Sequence, residues 1–242
     1  MIGLDRVVEP EGFDGPWHSV DCADPDAVAS VFVAGSPDAV VHLAGNPGET
    51  SLPDALTSHA VTTAALLDAM VEHDVQRIVY ASSNHAVGRT PRPSDAGLVS
   101  DDVRPRPDTF YGVGKVAAEA LLSLYADRYG FDAVACRIGS FRSQPKTTRE
   151  LATWLSHDDC VRMVDAALTA TAPGFAVLYG ISANTRAWWD LEPGRRLGFE
   201  PRDDAEEFAE QVPVRREDPA EAAHVGGSFA GEAHHRPALD RA

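Results

Sequence analysis

The sequence predicts an α/β fold built on a parallel, doubly wound sheet, and three observations carry that prediction. Short apolar, β-rich runs recur along the chain, and each stops at small or polar residues. Val40-Val41-His42-Leu43 stops at Ala44-Gly45, Arg77-Ile78-Val79-Tyr80-Ala81 at Ser82-Ser83, residues 133–138 at Gly139, and Ala176-Val177-Leu178-Tyr179 at Gly180. The runs are near-continuous rather than alternating, as strands covered on both faces are. Between them lie stretches of helical periodicity, and strands alternating with helices build a parallel sheet through crossover connections.

The helices follow in order. Residues 24–33 open with an Asp cap and a proline at the first helical position. Residues 52–73 carry Leu56, Leu66, Leu67 and Met70 at helical spacing, residues 109–129 give the clearest helix, and 158–169 give another, with Asp158 as its expected cap. The segment 82–108 reads as a long loop rich in Pro and Asp, and so long a loop in a compact domain is usually functional or mobile. From Pro213 on, periodicity is weak, and the end reads as an irregular or partner-docking tail.

Composition narrows the function. With 242 residues the chain is long enough for one substantial core. The net charge of −16 argues against a nucleic-acid partner, because phosphate repels such a surface. The lysines are Lys115 and Lys146 alone, and low lysine with abundant acid is the surface style of salt-adapted proteins. No apolar run is long enough to cross a bilayer and no secretion signal opens the chain, so a soluble, cytoplasmic protein with no membrane partner is expected. The cysteines Cys22, Cys136 and Cys160 have no metal-site or disulfide spacing and read as small buried hydrophobes. His157-Asp158-Asp159 does not read as a metal site, because adjacent side chains do not converge on one ion. Trp188 and Trp189 read as packing.

The chemistry centres on Tyr111-Gly112-Val113-Gly114-Lys115 at the start of a helix. Residues four apart share a helix face, so the phenol and the ammonium point into the same space. A neighbouring cation favours the phenolate and is expected to make Tyr111 a usable proton acceptor, while Lys115 can also reach a ribose hydroxyl. Some thirty residues upstream, a strand runs into Ser82-Ser83-Asn84-His85. Side chains at the carboxyl end of a parallel strand face the ligand crevice. A serine there can hydrogen-bond a substrate hydroxyl and share its proton with Tyr111.

Val41-His42-Leu43-Ala44-Gly45, Tyr80-Ala81-Ser82-Ser83-Asn84-His85, Tyr111-Gly112-Val113-Gly114-Lys115 and Arg137-Ile138-Gly139-Ser140 together resemble the motif series of the extended short-chain dehydrogenases/reductases, the NAD-dependent epimerase/dehydratase family. Within it, Ser-Ser-Asn-His after the strand, the stretch 149–159 with Trp154-Leu155-Ser156-His157-Asp158-Asp159, Ser182-Ala183-Asn184 before Trp188-Trp189-Asp190, and Gly226-Gly227-Ser228-Phe229 look like uronate dehydrogenases. The resemblance implies a Rossmann-like fold and NAD as cofactor. It implies one domain over 1–242, with 1–140 mainly on the cofactor side, a small substrate-binding part at 141–212 and an irregular tail at 213–242. By position, Tyr111 resembles the general base, Lys115 its activator and Ser83 the hydroxyl-binding serine. Asn84, His85 and Ser140 resemble sugar-binding positions, and Arg149 the clamp on a substrate carboxylate. A guanidinium binds a carboxylate bidentately, which suits that role. Asp5 resembles the carboxylate that binds the adenosine ribose, Asp21-Cys22 the pair beside the adenine, and Leu43-Ala44-Gly45, Ala81, Tyr111 and Lys115 the remaining cofactor contacts. The partner implied is a small-molecule sugar or sugar acid, with a homo-oligomer as the assembly.

The family opens with a strand, a Gly-rich turn on the pyrophosphate and a helix, and this chain has no such element before Met1-Ile2-Gly3-Leu4-Asp5. The expectation is therefore a Rossmann-like sheet lacking its first strand-turn-helix, as in a truncated reading of the gene. Pro47 stands where similar chains carry a substrate-binding serine, His59 where an asparagine is common, and Gly114 where a serine precedes the lysine. The expected activity is oxidation of a uronate at C1 to its lactone. The rivals are an NAD-dependent glucose-6-phosphate or aldose dehydrogenase, a nucleotide-sugar epimerase or dehydratase, and a non-catalytic binding protein.

Overall fold

The computed structural model of the chain describes residues 1–93 and 97–239. Part of the segment read as a long loop, residues 94–96, therefore lies outside the described residues. The central sheet has four parallel strands in the order β3 (Val40–His42), β4 (Arg77–Ser83), β5 (Asp132–Ile138) and β8 (Phe175–Gly180). A separate parallel pair joins β1 (Gly3–Asp5) to β2 (Trp17–Ser19), and a third joins β6 (Ser140–Phe141) to β7 (Trp154–Leu155). Among the described residues no ladder joins β1 to β3, so the parallel α/β architecture stands as two separate pieces of sheet at that point.

The helices form where caps and spacing put them. α1 (Pro25–Gly35) has Asp24 as its cap, the carboxylate accepting from the backbone N–H of Asp26 and Ala27. α2 (Leu52–Leu56) runs through a π-helical turn at Thr57–Val61 into α3 (Thr62–Glu72), so the long periodic stretch is helical throughout. α4 (Phe110–Tyr129) has Thr109 as cap, its hydroxyl accepting from Gly112 N at 3.0 Å, and it ends at Gly130 in the left-handed region. After the single turn α5 (Glu150–Thr153), α6 (His157–Thr169) begins one residue earlier than its spacing suggests. Ser156, not Asp158, caps α6, its hydroxyl accepting from Asp159 N at 2.9 Å. A serine at this position already occupies the cap site, which leaves Asp158 in the first turn. Asp159 is buried instead and accepts from the N–H groups of Arg202 and Asp203, tying the 200–203 segment to the helix.

Strand alternation sorts the core into two layers. Ile78 and Tyr80 of β4, with Ala133 and Ala135 of β5, face α1, α3 and α4 through Phe32, Leu67, Met70 and Leu122. Val79, Val134 and Cys136 face the opposite layer with Met163, Ala167, Leu178 and Phe199. Both faces of β4 and β5 are thus covered, as near-continuous apolar strands require. Trp188 and Trp189 are buried in a third cluster with Tyr179, Val99 and Val225. All three cysteines are free thiols; Cys22 and Cys136 are buried and Cys160 is partly so.

One polar network crosses this core. Arg137 at the end of β5 meets Glu119 of α4 through two bonds, at 3.1 and 2.9 Å, and Ser82 of β4 donates to the same carboxylate at 2.5 Å. Arg137 also donates to the Asp101 carbonyl at 3.1 Å. Both charged side chains are almost wholly buried. Removing one partner of such a pair leaves an uncompensated charge in the core. Arg137→Leu is therefore expected to lower stability by about 3–5 kcal/mol, read as a shifted urea midpoint at unchanged slope; a loss within ~0.5 kcal/mol would mean that the pair contributes no more than a surface contact.

Candidate functional site

The carboxyl ends of β3, β4 and β5 and the start of α4 bring most of the sequence-predicted residues together. β4 delivers Ser83 at its last position, and the chain turns at once into a 3₁₀ segment, Asn84–Val87, whose first turn is closed by the Ser83 hydroxyl accepting from His85 N at 3.2 Å. α4 delivers Tyr111 in its first turn, close enough to Ser83 that the serine side chain favours the phenolate. These residues, with Asn84, His85, Ser140 and Arg149, line one cavity of about 510 Å³. Ser140 is held by Thr153 at 2.9 Å, and Pro47 stands in the same wall.

The electrostatics of the pair differ from the sequence expectation. Lys115 was expected to pull Tyr111 down; instead burial raises the Tyr111 pKa above its ordinary value, Ser83 opposes that, and Asp108 adds to it. The reason is geometric. The Lys115 ammonium donates to the Ala81 carbonyl at 2.6 Å, and it lies 5.5 Å from the centre of the Tyr111 ring, above its face. Burial holds Lys115 down to about 8, with Glu119 one turn on pushing the other way. The two groups are therefore shifted in opposite directions, phenol up and ammonium down, by the same dry surroundings.

Arg149 is the second buried cation. Its side chain donates to the Val225 carbonyl, and with the Asn84 amide turned to satisfy both of its ends, Asn84 accepts from Arg149 at 2.7 Å and donates to the Ile138 carbonyl at 3.2 Å. Its Nε has no partner, and among the described residues no carboxylate lies within ion-pair distance. Burial brings its pKa down to about 10 despite the more distant charges of Glu150, Asp108 and Glu221. Gly227, at φ 65°, lies against the guanidinium so closely that a Cβ would strike it.

Asp108 and Glu49 were not singled out from the sequence. Asp108 has no exposed side-chain surface; His85 Nδ1 donates to it at 2.9 Å, and Gly88 and Gly226 close over it where no Cβ would fit. The Glu49 carboxylate accepts from the N–H groups of Phe110 and Tyr111, each at 3.0 Å. Neither lies in a recognisable motif, and the only available signal was an acid next to the Thr109 cap. The end of the chain also joins the site. Residues 223–226 bond to residues 88–92, Arg89 bonds to Ala230, and Gly226, Ser228 and Phe229 wall the cavity.

The candidate cofactor residues fall into two groups. Asp5, at the end of β1, and Asp21 both act on the Cys22 thiol, which burial raises first, so the three are neighbours. Leu43, exposed, and Ala44 follow β3 into Gly45, whose φ of 142° no side chain adopts readily. A Cβ on Gly45 would run into the His59 ring. An open apolar step, a bare glycine and an acid at strand ends suit a dinucleotide lying across the sheet. Asp5 ends β1 and Asp21-Cys22 follow β2 of the separate β1–β2 pair, with the remaining candidates on the main sheet and α4. Among the described residues no acid, histidine and cysteine cluster could hold a metal, and no helix is long and apolar enough to cross a membrane.

Residues 2–157 match the NAD dependent epimerase/dehydratase family. The chain belongs to this family. NAD is accordingly its cofactor. It is similar to the uronate dehydrogenase of Pseudomonas putida, 36% identical over 224 residues that cover 89% of this chain and 81% of that one. It is also similar to an NAD-dependent glucose-6-phosphate dehydrogenase of Haloferax volcanii, 36% identical over 70% of each chain. Among solved structures, the uronate dehydrogenase from Agrobacterium tumefaciens superposes with a TM-score of 0.88 at 33% identity, covering 99% of this chain and 89% of that one.

His42 and His59 lie beside Lys115 in the dry interior, and burial first and Lys115 second hold them down to about 3 and about 4. Both stay neutral in the folded protein at pH values where an unfolded chain takes up a proton. The unfolded state then binds more protons below pH ~6.5, so stability is full above that value and falls as pH drops from there towards the folded-state values. Each histidine is expected to contribute a slope approaching about 1.4 kcal/mol per pH unit. His59→Asn should remove one proton from that slope between roughly pH 6 and 5, in urea melts across pH; an unchanged slope would show that His59 is charged in the fold.

Proposed function

We propose that this chain oxidises a sugar acid, a uronate, at C1 with NAD, giving the aldarolactone. The observation that carries the reading is Arg149, a buried guanidinium in the cavity wall with an unpartnered Nε and no carboxylate of its own. A buried cation without a counter-ion is costly, and a substrate carboxylate would supply the missing charge through a bidentate contact. Arg142 and Arg215 border the same cavity, but Glu150 neutralises the first, and Asp218 and Glu221 the second. Among the described residues of the cavity wall, one cation is without an ion pair, which suits a monoanionic carboxylate better than a phosphate dianion and favours a uronate over a sugar phosphate. The similarity to uronate dehydrogenases points the same way.

In this reading Ser83 and Tyr111 hold the C1 hydroxyl and Tyr111 takes its proton. Lys115 fixes the charge beside Tyr111, and Asn84, His85 and Ser140 orient the ring hydroxyls. Asp5, Asp21 and Cys22 would hold the adenosine end of NAD; Leu43, Ala44, Gly45, Ala81, Tyr111 and Lys115 would hold the rest. When bound, NAD supplies the hydride acceptor.

Two measurements test this. Tyr111→Phe should lower kcat by roughly 10²–10⁴-fold, well beyond any loss of NAD affinity, followed as NADH absorbance; full activity would remove Tyr111 from the chemistry. Galacturonate and glucuronate should be oxidised far better than galactose, glucose or glucose 6-phosphate. That preference should collapse in Arg149→Ala and weaken in Arg149→Lys, through kcat/KM, by an amount set by charge-assisted bonds of roughly 1.5–3 kcal/mol each. A preference for glucose 6-phosphate would assign the chain to the sugar-phosphate reading instead.

A further inference from the structure

The first turn of α4 has a donor problem. Its leading N–H groups have no partner within the helix. Thr109 takes one of them, Gly112, through its hydroxyl, and its carbonyl accepts from Val113 N. Phe110 and Tyr111 remain, and both donate at 3.0 Å to Glu49, which lies 61 and 62 positions upstream. At a helix end facing open solvent, water would satisfy these donors, and α4, twenty residues long and capped by Thr109, would not need the acid to form.

The segment that carries Glu49 is itself tied down. Asn46 N donates to Ser58 at 2.6 Å, the Asn46 carbonyl contacts His59 Nε2 at 3.1 Å, and Asn46 closes the turn by accepting from Gly48 N. The next residue, Pro47, is part of the cavity wall. His59 in turn packs edge-on against the Tyr111 ring at 5.1 Å between centres. The same short segment therefore touches Tyr111 at its backbone through Glu49 and at its ring through His59.

We propose that Glu49 is a positioning residue that latches the 46–50 segment onto the first turn of α4, fixing the Tyr111 phenol against Ser83 and setting Pro47 in the cavity wall at the same time. A carboxylate at a helix N-terminus receives charge-assisted bonds and the favourable end of the helix dipole, so the latch is directional as well as strong. Misplacement of a reacting group by about an ångström is enough to slow a reaction on the order of a hundred-fold.

The kinetic arm of the test rests on the dehydrogenase reading; the structural arm does not. Amide hydrogen exchange by NMR should find Phe110 and Tyr111 protected in the wild-type chain and at least about ten-fold less protected in Glu49→Ala, with Val113 unchanged. Equal exchange at all three amides in both proteins overturns the latch whatever the chain catalyses. In turnover of galacturonate with NAD, Glu49→Ala should lower kcat by roughly ten- to a hundred-fold and raise the KM for the uronate, with NAD affinity and melting temperature near wild type. Glu49→Gln should fall between, since its amide keeps one acceptor but sets an NH₂ against the other N–H. A loss of NAD affinity and melting temperature in step with kcat would make Glu49 merely structural and overturn the positioning role. Wild-type chain inactive on every sugar, with the exchange result intact, would instead count against the dehydrogenase reading alone.

Discussion

The buried contact between Arg137, Glu119 and Ser82 is the constraint on which the rest of the site depends. It joins the ends of β4 and β5 to the middle of α4 with two charged groups and a hydroxyl in a dry core. An apolar contact there would tolerate sliding; a forked ion pair does not. Glu119 lies one turn beyond Lys115 on α4, and Ser82 immediately precedes Ser83 on β4. The pair therefore sets the helix register that puts Tyr111 and Lys115 over the end of the strand. It also reaches the Asp101 carbonyl, which draws that part of the connection between β4 and α4 onto the sheet.

Around that fixed frame, the low dielectric of the interior does the electrostatic tuning. Desolvation raises Tyr111, lowers Lys115 and Arg149, and keeps His42 and His59 neutral. No single partner charge dominates any of these shifts. The site is consequently sensitive to anything that admits water, which gives the covering segments a chemical role. Residues 223–230 supply part of that cover: they bond to the loop at 88–92 and shut Asp108 beneath two glycines.

The glycines at 45, 88, 226 and 227 illustrate how closely the backbone approaches functional side chains here. Gly45 rests on His59, Gly88 and Gly226 on Asp108, and Gly227 on Arg149. Each leaves room that a methyl group would fill, so the backbone packs directly on the side chain beneath it. Asp108 in turn orients His85 towards the cavity through Nδ1.

The sequence by itself determined the architecture and the position of the chemical groups along it. Near-continuous apolar runs ending in Ala-Gly, Ser-Ser and Gly marked β3, β4, β5 and β8, because local patterning decides which segments are strands and where they stop. The Tyr-x-x-x-Lys spacing placed Tyr111 and Lys115 on one helix face, because helical periodicity is a property of the chain alone. What only the tertiary structure decided are the contacts between segments far apart in sequence. Glu49 on the Tyr111 backbone, Asp108 under Gly88 and Gly226, and Val225 on Arg149 leave no local pattern, since a contact between segments distant in sequence imposes no periodicity on either. The direction of the Tyr111 shift belongs to the same class. Spacing says that a cation is near, but burial and the exact seat of the Lys115 ammonium on the Ala81 carbonyl decide which effect wins, and both are set by packing.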